Sequence, residues 1–153
     1  MAAAALLFGF SLDDRSLALP LEGVVRALLS VELTPLPSAP AIVAGVINYH
    51  GKIVPVMDLR VRFGVPRQEI NPSDRFIIIR TKKRMLAIVA SGVTGVLKPA
   101  DAVTPAEEIL PGARYISGML PGEGRLILIY DPDAFLSLDE ETALDAALTS
   151  GGG

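Results

Sequence analysis

The chain has no cysteine, no tryptophan and a single histidine, His50. The lack of cysteine excludes thiolate nucleophiles, disulfide bonds and every zinc site with cysteine ligands. A lone histidine also excludes zinc sites that need several imidazoles. We therefore expect no metal site and no cofactor, and most enzyme templates lack their essential residues in this chain.

Charge is also scarce. The 153 residues carry 14 Lys plus Arg against 17 Asp plus Glu, a net charge of −3, so no overall field favours phosphate backbones or anionic lipids, and nucleic acid is not expected as a ligand. The longest uncharged stretch, residues 33–51, is broken by Pro35, Pro37 and Pro40 and does not predict a membrane span. No Lys or Arg precedes Arg15, unlike in a secretory signal. We predict a cytoplasmic protein without direct membrane insertion.

Short apolar runs of five to nine residues recur between Gly, Pro, Asn and Asp residues. This pattern predicts an all-β sandwich or barrel with little helix. Residues 76–79 and 126–129 are apolar at every position instead of alternating, so both faces of these strands must be covered. Either a second barrel packs against the first or a protein partner covers the outside.

Turn residues separate several of these runs. Asp13-Asp14 favours a hairpin tip, and His50-Gly51 provides a glycine where the chain must reverse between two strands. The polar, proline-bounded stretch 99–108 predicts a connection with at most one helical turn.

The C-terminal segment predicts the only substantial helix. Ser137 and Glu140 have the spacing of a capping box, and Leu144 and Leu148 would share one face of the helix that follows. Residues 150–153 are one serine and three glycines, which predicts a frayed end.

The segment from Gly45 to Lys52 has some features of a phosphate-binding loop. A P-loop has four residues between its glycines and a Ser or Thr after the lysine, whereas here five residues separate Gly45 from Gly51 and Ile53 follows Lys52. Nucleotide binding is therefore not predicted.

Other candidate sites have simpler interpretations. Gly92–Gly95 matches the backbone clamp of KH domains but lacks a basic surface, and predicts a strand bulge. No Gly-x-Ser-x-Gly elbow accompanies His50, and neither Asp131–Asp133 nor Glu107-Glu108 has the spacing of a calcium loop. The basic cluster Arg80–Arg84 predicts a solvated hairpin tip, with a docking patch for an acidic partner as the alternative.

One long segment carries a family resemblance. Residues 45–64, GVINYHGKIVPVMDLRVRFG, resemble the signature of CheW-like domains, which usually read G-x-x-N-L-R-G-x-I-V/L-P-V-I/V-D-L-R-x-R/K-F-G. Further blocks resemble the family in the same order, at Phe8, 17–24, 76–97, 115–118, 125–129 and 135–136. The resemblance divides the chain into an N-terminal extension at 1–5, a CheW-like domain at 6–148 with two intertwined barrel subdomains, and a flexible tail at 149–153.

The resemblance implies a fold of two packed five-stranded SH3-like β-barrels with a short C-terminal helix, which would provide the second cover. It also implies a noncatalytic adaptor, without a cofactor, that bridges the tips of methyl-accepting receptors to the regulatory domain of the histidine kinase CheA. Such a protein would be cytoplasmic and recruited to membrane-associated receptor arrays.

The resemblance also suggests where the partners bind. The residues it assigns to the receptor are Val24, Arg26, Asn48, Tyr49, His50 and Gly51, and those it assigns less firmly to the kinase are Ile53, Val54 and Val56. For the apolar members, ordinary barrel core is an equal alternative.

Two positions depart from the family pattern. The family commonly has Arg at position 50 and Glu at position 26, where this chain has His50 and Arg26. Each change alters the charge of the expected receptor surface. The alternative function is therefore a divergent paralogue that binds only one of the two partners in another chemosensory or motility pathway. An enzyme would need converging titratable groups, and the sequence offers only His50 and scattered carboxylates.

Overall fold

The computed structural model describes residues 6–99, 104–105, 115–122 and 126–151. Within these residues it contains eleven strands and one α-helix, which confirms the predicted all-β class with a C-terminal helix. The strands are β1 (Leu7–Leu12), β2 (Arg15–Pro20), β3 (Val24–Leu29), β4 (Val43–Tyr49), β5 (Lys52–Met57), β6 (Arg75–Arg80), β7 (Met85–Ala90), β8 (Gly92–Leu97), β9 (Thr104–Pro105), β10 (Ile116–Pro121) and β11 (Leu126–Tyr130). The helices are α1 (Leu138–Gly151) and the short 3₁₀ turns η1 (Leu21–Gly23), η2 (Leu59–Phe63) and η3 (Pro132–Ala134).

The strands form two sheets with interleaved chain order. The first sheet has the order β8-β1-β2-β11-β10-β9, and the second has the order β3-β6-β7-β5-β4. Neighbours are antiparallel except β2 with β11 and β5 with β7. The second sheet is therefore one continuous insertion between two parts of the first. The first sheet has six strands instead of the predicted five because Thr104 and Pro105 pair with β10.

Both faces of the central strands in the second sheet are covered, as their uninterrupted apolar sequence predicts. Residues 76–79 of β6 are all 0 % exposed, and residues 86–90 of β7 are fully or almost fully buried. One apolar cluster joins Phe10 and Leu17 of the first sheet to Ile77 and Ile88 of the second. Each such side chain stabilises the fold by about 1.5–3 kcal/mol through burial. Strand β11 is different, since Leu126 at its start is 55 % exposed.

Residues with positive φ angles lie at the tips of both predicted hairpins. Asp13, at the β1–β2 tip, has a φ of 56°, and the β4–β5 tip has φ values of 51° at His50 and 85° at Gly51. A two-residue loop with both φ values positive is the type I′ turn, which matches the twist of paired strands. Gly92–Gly95 also behaves as predicted, because Thr94 is an extra residue in the pairing of β8 with β1 and forms a bulge.

The left-handed backbone at the β4–β5 tip leads to a prediction for Gly51. Gly51→Ala should lower the free energy of unfolding by about 1 kcal/mol, because a Cβ is disfavoured at positive φ although no atom lies within 4 Å of it. Urea unfolding measures the loss. Gly23→Ala is unsuitable as a control because its Cβ would meet the Arg80 carbonyl oxygen at 3.2 Å. Ala27→Gly, at an exposed strand position, is the comparison variant and should lower the free energy of unfolding by a similar amount, because glycine loses more backbone freedom on folding than alanine. A Gly51→Ala variant as stable as the wild type would contradict the turn assignment.

The second sheet curls back on itself through the segment that follows β3. The Thr34 backbone N–H donates to the Val46 carbonyl at 3.0 Å, and the Val46 N–H donates to the Thr34 carbonyl at 2.8 Å. Gly45 permits this approach, because a Cβ there would lie 2.8 Å from the Thr34 carbonyl oxygen.

The C-terminal helix begins at the predicted capping box. The Glu140 N–H donates to the Ser137 hydroxyl oxygen at 3.1 Å, and the Ser137 N–H donates to Glu140 Oε1 at 2.8 Å. Leu144 is fully buried and Leu148 is partly buried, as their spacing predicts. The helix continues to Gly151, so residues 149–151 are helical instead of belonging to the tail predicted at 149–153. Most of the predicted connection at 99–108 lies outside the described residues, apart from Pro99 and the short strand β9.

Candidate functional site

The segment after β5 carries the most specific part of the signature, and it folds into η2. Asp58 caps this turn because its Oδ1 accepts a hydrogen bond from the Arg60 N–H at 3.0 Å. Gly64 ends the turn with a φ of 78°, and its N–H donates back to the carbonyls of Arg60 and Val61. The side chains that η2 presents are therefore held in fixed positions.

Arg60 joins η2 to the first sheet. Its Nε donates to Asp13 Oδ2 at 2.7 Å, its Nη2 donates to Asp13 Oδ1 at 2.9 Å, and its Nη1 donates to Asp58 Oδ2 at 3.0 Å. Arg60 is 3 % exposed and Asp58 is 0 % exposed. We call Asp13, Asp58 and Arg60 the intersheet clamp. The bonds from Arg60 lower the pKa of Asp13, and the same bonds raise the pKa of Arg60.

Two neighbours of Arg60 extend this junction. The Arg15 guanidinium of β2 lies 4.3 Å from the ring centre of Phe63 in η2, a cation–π contact between the sheets. Arg62 donates to the Phe135 carbonyl and to Glu140 Oε1, the latter at 2.5 Å, and so connects η2 to the start of α1. Burial opposes ionisation of Glu140, but the bonds from Arg62 and Ser137 outweigh burial, so its pKa is lowered.

The residues that the sequence assigns to a receptor lie in two places. Asn48, Tyr49, His50 and Gly51 form the end of the β4–β5 hairpin, where Asn48 Oδ1 accepts from the Gly51 N–H at 2.8 Å. The Tyr49 and His50 rings meet edge to face at 4.4 Å, and His50 makes no hydrogen bond or ion pair with a described residue.

The other two assigned receptor residues lie on β3, at the opposite edge of the second sheet from β4. Val24 pairs with Ile79 near the end of β6, and Arg26 pairs with Ile78. Because β5 runs parallel to β7 and β3 runs antiparallel to β6, Val24 and the β4–β5 hairpin lie at the same end of the sheet. The structure therefore brings the two groups to one end of the sheet without direct pairing between them.

The residues assigned to a kinase differ sharply in exposure. Ile53 is 57 % exposed, whereas Val54 and Val56 are 0 % exposed and belong to the shared core. Of these three residues, only Ile53 has an exposed side chain. Ile53 is also the register partner of Asn48, so it is adjacent to the assigned receptor residues instead of lying on a separate surface.

Ile53 lines a groove of about 390 Å³ at this end of the second sheet. Its apolar wall includes Met85 of β7 and Leu148 of α1, and its rim carries Lys52, Arg80, Lys82 and Lys83. The groove thus combines an apolar wall with a cationic rim.

The basic cluster at the β6–β7 turn is partly neutralised by the chain itself. Arg84 Nη2 lies 2.9 Å from Glu141 Oε1 and 2.6 Å from Asp145 Oδ1, both on α1. Lys83 Nζ lies 3.7 Å from Glu141 Oε2. The prediction of a solvated tip is right for exposed Lys82 and Lys83 and wrong for Arg84, which the acidic face of α1 half buries.

Exposed apolar side chains also occur on two edge strands, and sequence reasoning missed most of them. Val25 and Leu29 of β3 are 44 % and 62 % exposed, and Val93 and Val96 of β8 are 42 % and 55 % exposed. Their exposure follows from their edge positions in the two sheets. The composition of these strands is that of ordinary core strands, so only the sheet order could identify them.

Metal and membrane features can be assessed for the described parts of the chain. There, no group of three or more His, Asp or Glu side chains is arranged to hold a metal ion. In the same residues, no helix has the length and apolar character needed to cross a bilayer.

Comparison with known proteins agrees with the signature. The chemotaxis protein CheW of Rhizobium meliloti is 27 % identical over 140 residues, which cover 90 % of each chain. Protein FrzA of Myxococcus xanthus is 29 % identical over 124 residues, covering 76 % of this chain and 74 % of FrzA. The crystal structure of the scaffolding protein TtCheW from Thermoanaerobacter tengcongensis superposes with a TM-score of 0.78 at 22 % identity, covering 90 % of this chain and 95 % of that one, and shows the shared fold. The family model of the CheW-like domain matches residues 6–140, which include strands of both sheets and η2, and the chain therefore belongs to the CheW-like domain family.

Proposed function

We propose that this protein is a noncatalytic coupling adaptor of a bacterial chemosensory system, bridging methyl-accepting receptor tips to the regulatory domain of the kinase CheA. The match of the CheW-like domain across both sheets carries this proposal. The chemotaxis protein CheW of Rhizobium meliloti aligns with this chain over 90 % of its own length, so the alignment spans nearly all of that relative. The protein would act in the cytoplasm, at the membrane-associated arrays that the receptors form.

The receptor contact is proposed at Val24, Arg26 and the hairpin residues Asn48, Tyr49, His50 and Gly51. Four interstrand spacings separate β3 from β4, roughly 19 Å along the sheet, and because the sheet curls this is the upper limit of the direct distance. Two packed helices of about 10 Å diameter each would cover that width. Exposed Val25 on β3, next to Val24, supplies apolar surface for a helical partner.

The kinase contact is proposed at the groove that contains Ile53. Val54 and Val56 support this surface from the core, because their burial fixes the strand that presents Ile53. An exposed isoleucine beside Met85 and Leu148 offers an apolar anchor, and the basic rim favours a partner with acidic groups.

The kinase contact leads to a prediction for Ile53→Asp. This variant should weaken binding of the CheA regulatory domain by about tenfold or more, because it removes the apolar anchor and puts in its place a carboxylate that complex formation would have to desolvate. Isothermal titration calorimetry with the isolated regulatory domain measures the change, and a receptor-tip fragment is titrated separately.

Leu126→Asp is the matched control, since Leu126 is 55 % exposed, close to the 57 % of Ile53, but lies on the first sheet. It should bind the regulatory domain as the wild type does. Equal affinities for Ile53→Asp and Leu126→Asp would remove the groove from the kinase interface. A wild-type protein that binds neither fragment would overturn the adaptor function itself.

A further inference from the structure

The intersheet clamp joins parts of the chain that belong to different sheets. Asp13 lies at the tip of the β1–β2 hairpin in the first sheet, and Asp58 and Arg60 follow β5 of the second. The bond between Arg60 and Asp13 connects residues 47 positions apart. It is therefore a tertiary contact that the two sheets make with each other.

The hairpin tip is held at a second point as well. The Asp13 N–H donates to the Ser91 hydroxyl at 2.9 Å, and the Ser91 N–H donates to the Ser11 carbonyl at 2.8 Å. Ser91 separates β7 from β8, where the chain passes from the second sheet to the first. The tip is thus fixed both to this crossover and to η2.

The geometry of the clamp is more restrictive than that of the apolar core around it. A planar guanidinium that gives two bonds to one carboxylate fixes both distance and angle. Apolar contacts between the sheets are nondirectional and tolerate small rotations. The Asp13 side chain is 35 % exposed, and an ion pair in contact with solvent contributes little net stability, so its distinctive contribution here is orientation.

Orientation matters because the two sheets carry different exposed surfaces. Val93 and Val96 are exposed on the first sheet, and Ile53 and the β4–β5 hairpin are exposed on the second. The orientation of one sheet relative to the other therefore sets how these two surfaces lie relative to each other.

We propose that Asp13 and Arg60 are positioning residues that set the orientation of the first sheet relative to the second. The exposed surfaces of the two sheets are then held in a defined mutual arrangement. This inference does not depend on the proposed adaptor function.

The experiment measures the intersheet distance directly. The chain has no cysteine, so Thr94→Cys on β8 and Lys52→Cys on β5 create a unique pair of sites for spin labels. Pulsed electron spin resonance then gives the distance distribution between the labels. The Asp13→Gly variant removes both carboxylate oxygens and relieves the backbone at φ 56°. Asp13→Asn keeps one acceptor oxygen and also tolerates this backbone conformation.

With Asp13 present, we expect one narrow distance distribution. In Asp13→Gly, the distribution should either shift by about 2 Å or more or become clearly broader. Asp13→Asn should give an intermediate result. Glu32→Gln removes the same charge at an exposed position and should leave the distribution unchanged. Identical distributions in Asp13→Gly and Glu32→Gln would overturn the inference. If Asp13→Gly does not fold, Asp13→Asn decides, and a distribution equal to that of Glu32→Gln would count against the clamp.

Discussion

Replacing Arg60 with methionine should lower the free energy of unfolding by about 3–5 kcal/mol. Methionine fills a similar length of side chain, but it leaves the fully buried Asp58 carboxylate without its cationic partner and removes both bonds to Asp13. Breaking one side of a buried ion pair carries this cost because an uncompensated charge stays in a medium of low polarity. Urea unfolding at neutral pH, followed by circular dichroism, measures the loss.

The loss from Arg60→Met should depend on pH in one direction. Arg60 lowers the pKa of Asp13, so the stability gained from this carboxylate is present above its ordinary pKa and is lost as pH falls through the folded-state value. The difference in unfolding free energy between the wild type and Arg60→Met should therefore be largest at neutral pH and should decrease as the pH drops below about 4. Asp13 is about a third exposed, so this part of the effect is screened and is the smaller part.

Arg67→Met provides the matched control for this experiment. Arg67 is exposed, and its described bond is a donation from Nη1 to the Val43 carbonyl at 2.9 Å. Its replacement should cost about 1 kcal/mol or less. Similar losses in Arg67→Met and Arg60→Met would show that the clamp is not a buried ion pair in solution.

Replacing Leu144 with alanine should cost about 2–5 kcal/mol of unfolding free energy. Leu144 is 0 % exposed and is the residue of α1 that belongs to the main core cluster. Alanine would lose the transfer free energy of the removed atoms and leave a cavity between the helix and the sheets. Thermal and urea unfolding measure the change.

Leu138→Ala tests whether position on the helix or leucine content causes this loss. Leu138 begins the same helix and is 75 % exposed, so its replacement should change stability by less than about 0.5 kcal/mol. If the two variants are equally stable, α1 does not dock through Leu144. In that case the ion pairs of Arg84 and Arg62 with α1 would be its principal attachment.

Features set by a few neighbouring residues could be predicted from the sequence. The positive φ values at the β4–β5 tip follow from a glycine in a two-residue loop, and the capping box depends on residues three positions apart. The full burial of residues 76–79 likewise follows from an apolar run that has no polar face.

Features that depend on distant residues could not be predicted in this way. The partner of Arg60 lies 47 positions earlier, and nothing local to Asp13 indicates a buried guanidinium. Exposure along β5 does not alternate either, because the strand is covered on both faces after Ile53. The signature therefore drew attention to this segment, but it did not separate exposed Ile53 from buried Val54 and Val56.

The second sheet is inserted between two parts of the first, and this affects the order in which strands can pair during synthesis on the ribosome. All strands of the second sheet lie between residues 24 and 90, so they can associate while the rest is still being synthesised. Strand β2, in contrast, pairs with β11 through Leu17 and Leu128, and must wait for more than a hundred further residues. The β1–β2 hairpin therefore emerges first and finds its last neighbour late, with the inserted sheet serving as the surface on which that neighbour assembles.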